Sequence, residues 1–125
     1  MKSAEEIKDV VVNALEDLKA VDVAVLDVRG KSSVTDFMVI ASGTSDRHLK
    51  AMANNVLVEA KKAEIKPLGV EGGAGSEWVL VDLVDVVVHL MMPETRDFYQ
   101  LEKLWEAGSV DELTEARPVE RHSGS

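Results

Sequence analysis

The sequence predicts an α/β protein, with a mixed sheet of about five strands covered by helices. Two observations lead to this class. Short apolar runs rich in β-formers alternate with amphipathic helical segments, and the length of 125 residues suits a single hydrophobic core. We expect one domain over residues 1–107. Residues 108–125 are expected to form one short helix and a disordered polar tail.

Two helices have clear start signals. Ser3 and Glu6 have the spacing of a capping box, and apolar residues then recur at helical intervals up to Leu18. The second helix follows the turn at residues 42–45, where Thr44 or Ser45 can act as the N-cap. Its apolar positions repeat at steps of three and four, from residue 49 to residue 60.

The strands are expected at residues 23–28, 37–41, 67–71, 78–83 and 86–91. The run at 37–41 is continuously apolar, which is typical of a buried interior strand. The last two runs flank Val84 and Asp85 in the layout of a β-hairpin. The glycine-rich residues 72–76 are interpreted as a flexible link.

A third helix is predicted from Pro93 to Gly108, because Pro is favoured in the first turn of a helix and an apolar stripe follows. The stripe comprises Phe98, Leu101, Leu104 and Trp105. Arg96 and Tyr99 lie three residues apart, so they share a face that is expected to point away from this stripe.

The charge of the chain bears on its partners. The formal net charge is −9, and the basic residues are scattered among acids rather than gathered into a stripe. This argues against direct binding to DNA or RNA and favours a basic protein surface. The acidic start lacks the pattern of an export signal, and no apolar run approaches membrane-spanning length, so a cytoplasmic location is expected.

One feature of the sequence suggests an enzyme. The turn at residues 42–45 joins a strand to a helix, where backbone amides can hold an anion. Nucleotidyl transfer also needs paired carboxylates for Mg²⁺, and no such pair follows Ser45. Asp82 and Asp85 flank a turn and are better explained by turn chemistry. We therefore expect no catalysis and no cofactor, the alternative being a nucleotide-binding transferase with Asp36 or Asp82 as a metal ligand.

The histidines predict no metal site, since His48 and His89 are far apart and no third ligand is indicated. His89 interrupts an apolar strand and has two interpretations, a buried core histidine or part of an outward binding face. Trp78 is open to the same two interpretations. Because Trp, Tyr and Arg often dominate interfaces, the candidate partner-binding residues are Trp78, Leu80, Asp82, His89, Arg96 and Tyr99.

Several blocks of sequence together resemble one known family. In order and spacing they are similar to the signature blocks of the Iojap-like ribosome silencing factors. The blocks lie at residues 35–40, 43–48, 69–72, 77–82, 87–89 and 96–105. The last of them, RDFYQLEKLW, is the most specific.

The resemblance implies a nucleotidyltransferase-like fold without catalytic residues. It also implies binding to the large ribosomal subunit through its fourteenth ribosomal protein, which blocks subunit joining when nutrients are scarce. Family members often form homodimers off the ribosome. They usually carry Gly where this chain has Val84. Because valine, unlike glycine, disfavours positive φ, a hairpin turn with positive φ at Val84 is not expected. Residues from 108 onward have no role that the family implies.

Overall fold

The computed structural model describes residues 2–72 and 75–101. It forms three helices and one five-stranded mixed sheet, so the predicted α/β class is confirmed. In chain order the elements are α1 (Ala4–Asp17), β1 (Val21–Asp27), β2 (Phe37–Ser42), α2 (Asp46–Lys62), β3 (Gly69–Glu71), β4 (Trp78–Asp82), β5 (Val86–Met91) and α3 (Pro93–Tyr99).

The strands lie in the order β1-β2-β5-β4-β3. All neighbours are antiparallel except β2 and β5, which run parallel. A parallel pair needs a crossover connection, and here the chain between β2 and β5 supplies α2 and the strands β3 and β4. The predicted β4–β5 hairpin and interior strand β2 are confirmed.

One face of the sheet is covered by α1 and α2. Alternate residues of β2, β4 and β5 point to this face and meet the apolar stripes of the two helices, as period-two and period-3.6 patterns require. Burying one large aliphatic side chain contributes about 1.5–3 kcal/mol. This helix-covered face includes Val11, Leu15, Val39, Leu49, Met52, Val56, Val81, Val88 and Leu90.

The opposite face, called the aromatic face below, forms a second apolar cluster of Met38, Ile40, Trp78, Leu80, Val87, Met91 and Leu101. Among these apolar residues lie three buried polar side chains, Ser42, Asp82 and His89. Both faces of the central strands are therefore buried.

The helix starts agree with the sequence. Ser3 and Glu6 form the predicted capping box, and these hydrogen bonds lower the pKa of the Glu6 carboxyl. Ser45 rather than Thr44 caps α2. His48 then ties α2 to α1, because its Nε2 lies 2.7 Å from the carbonyl oxygen of Leu18, the residue that ends α1.

The third helix is shorter than predicted. α3 ends at Tyr99, and Gln100 adopts a left-handed conformation with φ 47° and ψ 51°. The expectation of one uninterrupted helix from Pro93 is therefore wrong at Gln100. Leu101 is buried as expected, but Phe98 is 80% exposed and does not share a buried stripe with it. The predicted helix end at Gly108 lies outside the described residues.

The β4–β5 turn also differs from expectation. Val84 has φ +73°, so the expectation against positive φ at this residue is wrong. The Asp85 amide donates to the Leu83 carbonyl oxygen at 2.9 Å, which closes a tight three-residue turn centred on Val84. The Asp82 carboxylate accepts from the Val84 amide at 2.9 Å. The Asp85 carbonyl accepts from the amide of Phe37, so contacts on both sides hold the turn in place.

In the described part of the chain, no helix combines the length and apolar character needed to cross a membrane. The predicted short helix and tail at residues 108–125 lie beyond it.

Candidate partner-binding site

The candidate site lies at the end of the sheet where β4 begins and β5 ends. Trp78 and Met91 are register partners there, and α3 starts two residues after Met91. The Met92 amide donates to the Glu77 carbonyl oxygen at 2.9 Å and so fixes the entry to α3. This connection brings α3 directly beside Trp78.

Four of the six candidate residues are buried. Leu80 and His89 have no exposed surface, and Trp78 and Asp82 are 5% and 8% exposed. The outward binding face, one of the two interpretations of His89 and Trp78, is therefore wrong, and the buried core interpretation is confirmed. The reason is that their face of the sheet is otherwise apolar and packs into one cluster with Leu101.

Aromatic side chains connect this buried cluster to solvent. The Tyr99 ring packs on the Trp78 ring with 4.8 Å between centroids. The Phe98 ring meets Tyr99 edge-on at 5.0 Å. Tyr99 is 38% exposed and Phe98 80% exposed. The accessible part of the site is thus the pair Phe98–Tyr99, which we call the aromatic tip.

Arg96 does not share an outward face with Tyr99, contrary to expectation. One guanidinium nitrogen, Nη1, donates to the carbonyl oxygen of Asp22 at 2.7 Å and to the hydroxyl of Ser42 at 3.1 Å. Asp22 lies in an irregular part of β1, where the pairing with β2 shifts register between Val21 and Ala24. Arg96 therefore fastens α3 to the first two strands.

A glycine lets the chain pass close to Trp78. Gly72 has φ +87°, and a Cβ at this position would lie 2.3 Å from the Trp78 carbonyl oxygen. Only glycine fits such an approach. Gly72 is therefore part of the frame that places Trp78 at the start of β4.

The exposed charge on α3 is negative. Glu94 and Asp97 are exposed on the helix, and Glu77 is exposed next to its start. The basic residue of α3, Arg96, is directed to Asp22 and Ser42 instead. The aromatic tip therefore has acidic neighbours, which favour a basic partner surface. Phe98 was missed as a site residue because the helical pattern placed it in the buried stripe.

The turn at residues 42–45, on which the enzyme alternative depends, is occupied by hydrogen bonds within the chain. The Thr44 amide donates to His48 Nδ1 at 2.9 Å, the His48 amide to the Ser45 hydroxyl, and the Arg47 amide to the Asp46 carboxylate. A Cβ on Gly43 would lie 2.7 Å from a methyl carbon of Leu49, so the turn is also tightly packed. A phosphate at this turn would have to displace these contacts.

The residues that the structure describes contain no group of three or more His, Asp and Glu that could hold a metal ion. Asp82 is used within the β4–β5 turn, as the sequence predicted. Asp36, the other carboxylate of the enzyme alternative, follows the loop that leads into β2 and donates its amide to Asp85.

Comparison with known proteins identifies the family of the chain. A family model described as "Ribosomal silencing factor during starvation" matches residues 1–125. The chain belongs to this family. The resemblance found in the sequence is thereby confirmed, and the match extends over the tail.

Relatives of the family share both sequence and fold. Ribosomal silencing factor RsfS from Haemophilus influenzae is 50% identical over 91 residues, which cover 73% of this chain and 89% of the relative. A crystal structure of a Chromobacterium violaceum protein is 44% identical and covers 84% of this chain and 88% of its own, with a TM-score of 0.82. A mouse relative, mitochondrial assembly of ribosomal large subunit protein 1, is 39% identical over 83% of this chain and 47% of its own.

Proposed function

We propose that this chain binds the large ribosomal subunit through its fourteenth ribosomal protein and blocks joining of the small subunit. Such a protein represses translation under nutrient limitation, acts in the cytoplasm and has no catalytic step. Membership in the ribosomal silencing factor family supports this function. The observation that carries the site is the aromatic tip, an exposed pair of rings beside exposed acids on α3.

The chemistry of the site suits a protein target on the ribosome. Ribosomal RNA presents phosphates, which a body with a net charge of −9 would meet with repulsion. A basic ribosomal protein offers the opposite charge. Acidic side chains accelerate such an encounter, whereas buried aromatic contacts determine how long the complex lasts.

The six candidate residues have different proposed roles. Tyr99, with Phe98 added, makes the direct contact. Trp78 packs against the Tyr99 ring from the buried side, and Arg96 holds α3 in place. Leu80, Asp82 and His89 act within the molecule rather than at the partner surface, because they are buried.

Steric occlusion requires only a stable complex. Specific interfaces of this kind bury about 1,200–2,000 Å² in total. A domain of this size can supply half of that from α3 and the adjoining sheet end. Homodimerisation off the ribosome, if it used this surface, would compete with subunit binding.

Co-sedimentation with purified large subunits tests the proposal. Wild-type protein should pellet with the subunits. Tyr99→Ala should raise the dissociation constant by about 30-fold, as for a typical interface hot spot. Phe98→Ala should raise it by about tenfold. The matched control is Leu68→Ala, which removes a similarly exposed apolar side chain from beside β3, away from α3.

The same preparation tests occlusion directly. When large and small subunits are mixed, light scattering should show slower and less complete association in the presence of wild-type protein. Tyr99→Ala should restore association, and Leu68→Ala should not. Normal association with saturating wild-type protein, or equal binding by Tyr99→Ala, Phe98→Ala and wild type, would contradict the proposal.

The enzyme alternative has no supporting contact, since two amides of the turn at residues 42–45 are engaged within the chain: that of Gly43 donates to the Met91 carbonyl oxygen and that of Thr44 to His48 Nδ1. Calorimetry with Mg²⁺ and nucleotides should give no binding heat.

A further inference from the structure

Four rings form a continuous row from the interior of the sheet to solvent. Ring centroids are 5.6 Å apart for His89 and Trp78, 4.8 Å for Trp78 and Tyr99, and 5.0 Å for Tyr99 and Phe98. Exposure rises along the row from 0% at His89 to 80% at Phe98. The most buried member is His89, which a partner cannot reach.

The inner end of the row is fixed by a hydrogen bond. The indole nitrogen Nε1 of Trp78 donates to His89 Nδ1 at 2.9 Å. An indole N–H can only donate, so Nδ1 must carry a lone pair, and a neutral imidazole then has its proton on Nε2. The bond arises from the strand register. Trp78 pairs with Met91, which makes His89 its diagonal neighbour on the same face.

This hydrogen bond determines the orientation of the Trp78 indole, which packing alone does not. Dispersion contacts with the surrounding aliphatic side chains depend little on which edge of the indole faces inward. A buried N–H without an acceptor is unfavourable, so the edge of the indole that carries Nε1 faces His89. Tyr99 packs on that ring at an interplanar angle of 51° and thus takes its own orientation from it.

We propose that His89 is a positioning residue for the aromatic tip. It orients the Trp78 indole, and through Trp78 it sets the rings of Tyr99 and Phe98, without touching the partner. The inference rests on the proposed function for its effect on ribosome binding. Its effect on the rings is a property of the protein alone and is tested separately.

Two substitutions separate the acceptor from the bulk of the side chain. His89→Asn places an amide oxygen near the position of Nδ1 and can accept from the indole, whereas His89→Leu fills the space without an acceptor. The control is Ile40→Val. Ile40 is the register partner of His89 on β2, so this change perturbs the same buried region and leaves the hydrogen bond intact.

The first measurement uses the free protein. In a ¹H–¹⁵N correlation spectrum the Trp78 indole signal is identified by its loss in Trp78→Phe. His89→Leu should move this signal and the ring-proton signals of Tyr99 and Phe98. His89→Asn should leave the ring protons close to their wild-type positions, and so should Ile40→Val. Unchanged Tyr99 and Phe98 signals in His89→Leu would overturn the proposal.

The second measurement is affinity for large subunits. His89→Leu should weaken binding by about tenfold, and His89→Asn by no more than about twofold. Equal affinities for wild type and His89→Leu, or equal losses for Asn and Leu, would overturn the proposal. Should wild type fail to bind, the proposed function fails, and the spectra still decide the positioning role.

A folding failure of His89→Leu does not remove the test. His89→Val also removes the acceptor, and a β-branched residue is well tolerated in a strand. The ring protons of Tyr99 should then move in the same sense as expected for His89→Leu. If they stay at their wild-type positions, His89 does not position the aromatic tip.

Discussion

The two faces of the sheet are buried by different chemistry. The helix-covered face is aliphatic apart from Phe37 and Met52, and the stripes of α1 and α2 close it. The aromatic face mixes methionine and tryptophan with the buried polar groups of Ser42, Asp82 and His89. Each polar group has a defined bond, to Arg96, the Val84 amide and Trp78 respectively. The first face contributes non-directional stability, and the second fixes the geometry of the aromatic tip.

The largest expected difference between the two faces is in how a truncation affects stability and binding. Leu49→Ala, on the helix-covered face, should lower the free energy of unfolding by about 3–5 kcal/mol, because it leaves a cavity beneath α2. The folded fraction should bind large subunits as wild type does. Tyr99→Ala should show the reverse, with a small loss of stability and a large loss of binding.

Urea unfolding measures the stability of Leu49→Ala and Tyr99→Ala, and co-sedimentation measures their binding to large subunits. Val58→Ala, an exposed position on the same helix, is the control and should change stability by less than about 0.5 kcal/mol. A binding defect in folded Leu49→Ala would break the proposed division of roles.

Gly72→Ala should have the next largest effect. The added methyl meets the Trp78 carbonyl oxygen and the backbone has positive φ, so a loss of about 2 kcal/mol or more is expected. Gly75 has φ +82° with open space around it, and Gly75→Ala should cost only about 1 kcal/mol. The difference between the stability losses of Gly72→Ala and Gly75→Ala measures the close approach of Gly72 to Trp78. The Trp78 indole signal in the ¹H–¹⁵N spectrum should move in Gly72→Ala and not in Gly75→Ala.

Val84→Gly should stabilise the protein by about 1 kcal/mol. A β-branched residue at φ +73° is strained, and glycine adopts this conformation without that cost. Val84→Ala should fall between the two, as thermal unfolding can measure. The turn is remote from the aromatic tip, so binding should not change. A lower melting temperature for Val84→Gly would mean that the strain is absent.

The smallest effect concerns the start of α1. Ser3→Ala should cost about 1 kcal/mol at neutral pH, through loss of the capping box. Because the folded-state pKa of Glu6 is lowered, its contribution is present above the usual carboxyl pKa of 4.5 and is lost as pH falls through the folded value. The cost of Ser3→Ala should therefore shrink in acid. Glu6→Gln, which does not titrate there, should remove this pH dependence.

The sequence carried enough information for the elements and the family, because local signals determine them. Capping residues marked the starts of α1 and α2, and alternation marked β4 and β5. The exposed face was not predictable in the same way. Both sets of alternate residues in β5 are apolar apart from His89, so period-two alternation alone does not identify which face is open.

The aromatic tip was only partly predictable, for a similar reason. Residue type alone indicates Tyr99, whereas a helical period that continues past Gln100 places Phe98 in the core. That period contains no information on the left-handed residue that ends α3. At Val84, contacts of the turn with Asp82 and with the segment before β2 override the local preference of valine.

The bond from Arg96 to the Asp22 carbonyl joins residues that are 74 positions apart. Since a chain is made from its N-terminus, β1 leaves the exit tunnel well before α3 exists. The fastening that holds Phe98 and Tyr99 in place is therefore among the last contacts to form. On the proposed function, a nascent or prematurely terminated chain that lacks α3 would also lack Phe98 and Tyr99 and could not bind the large subunit through them.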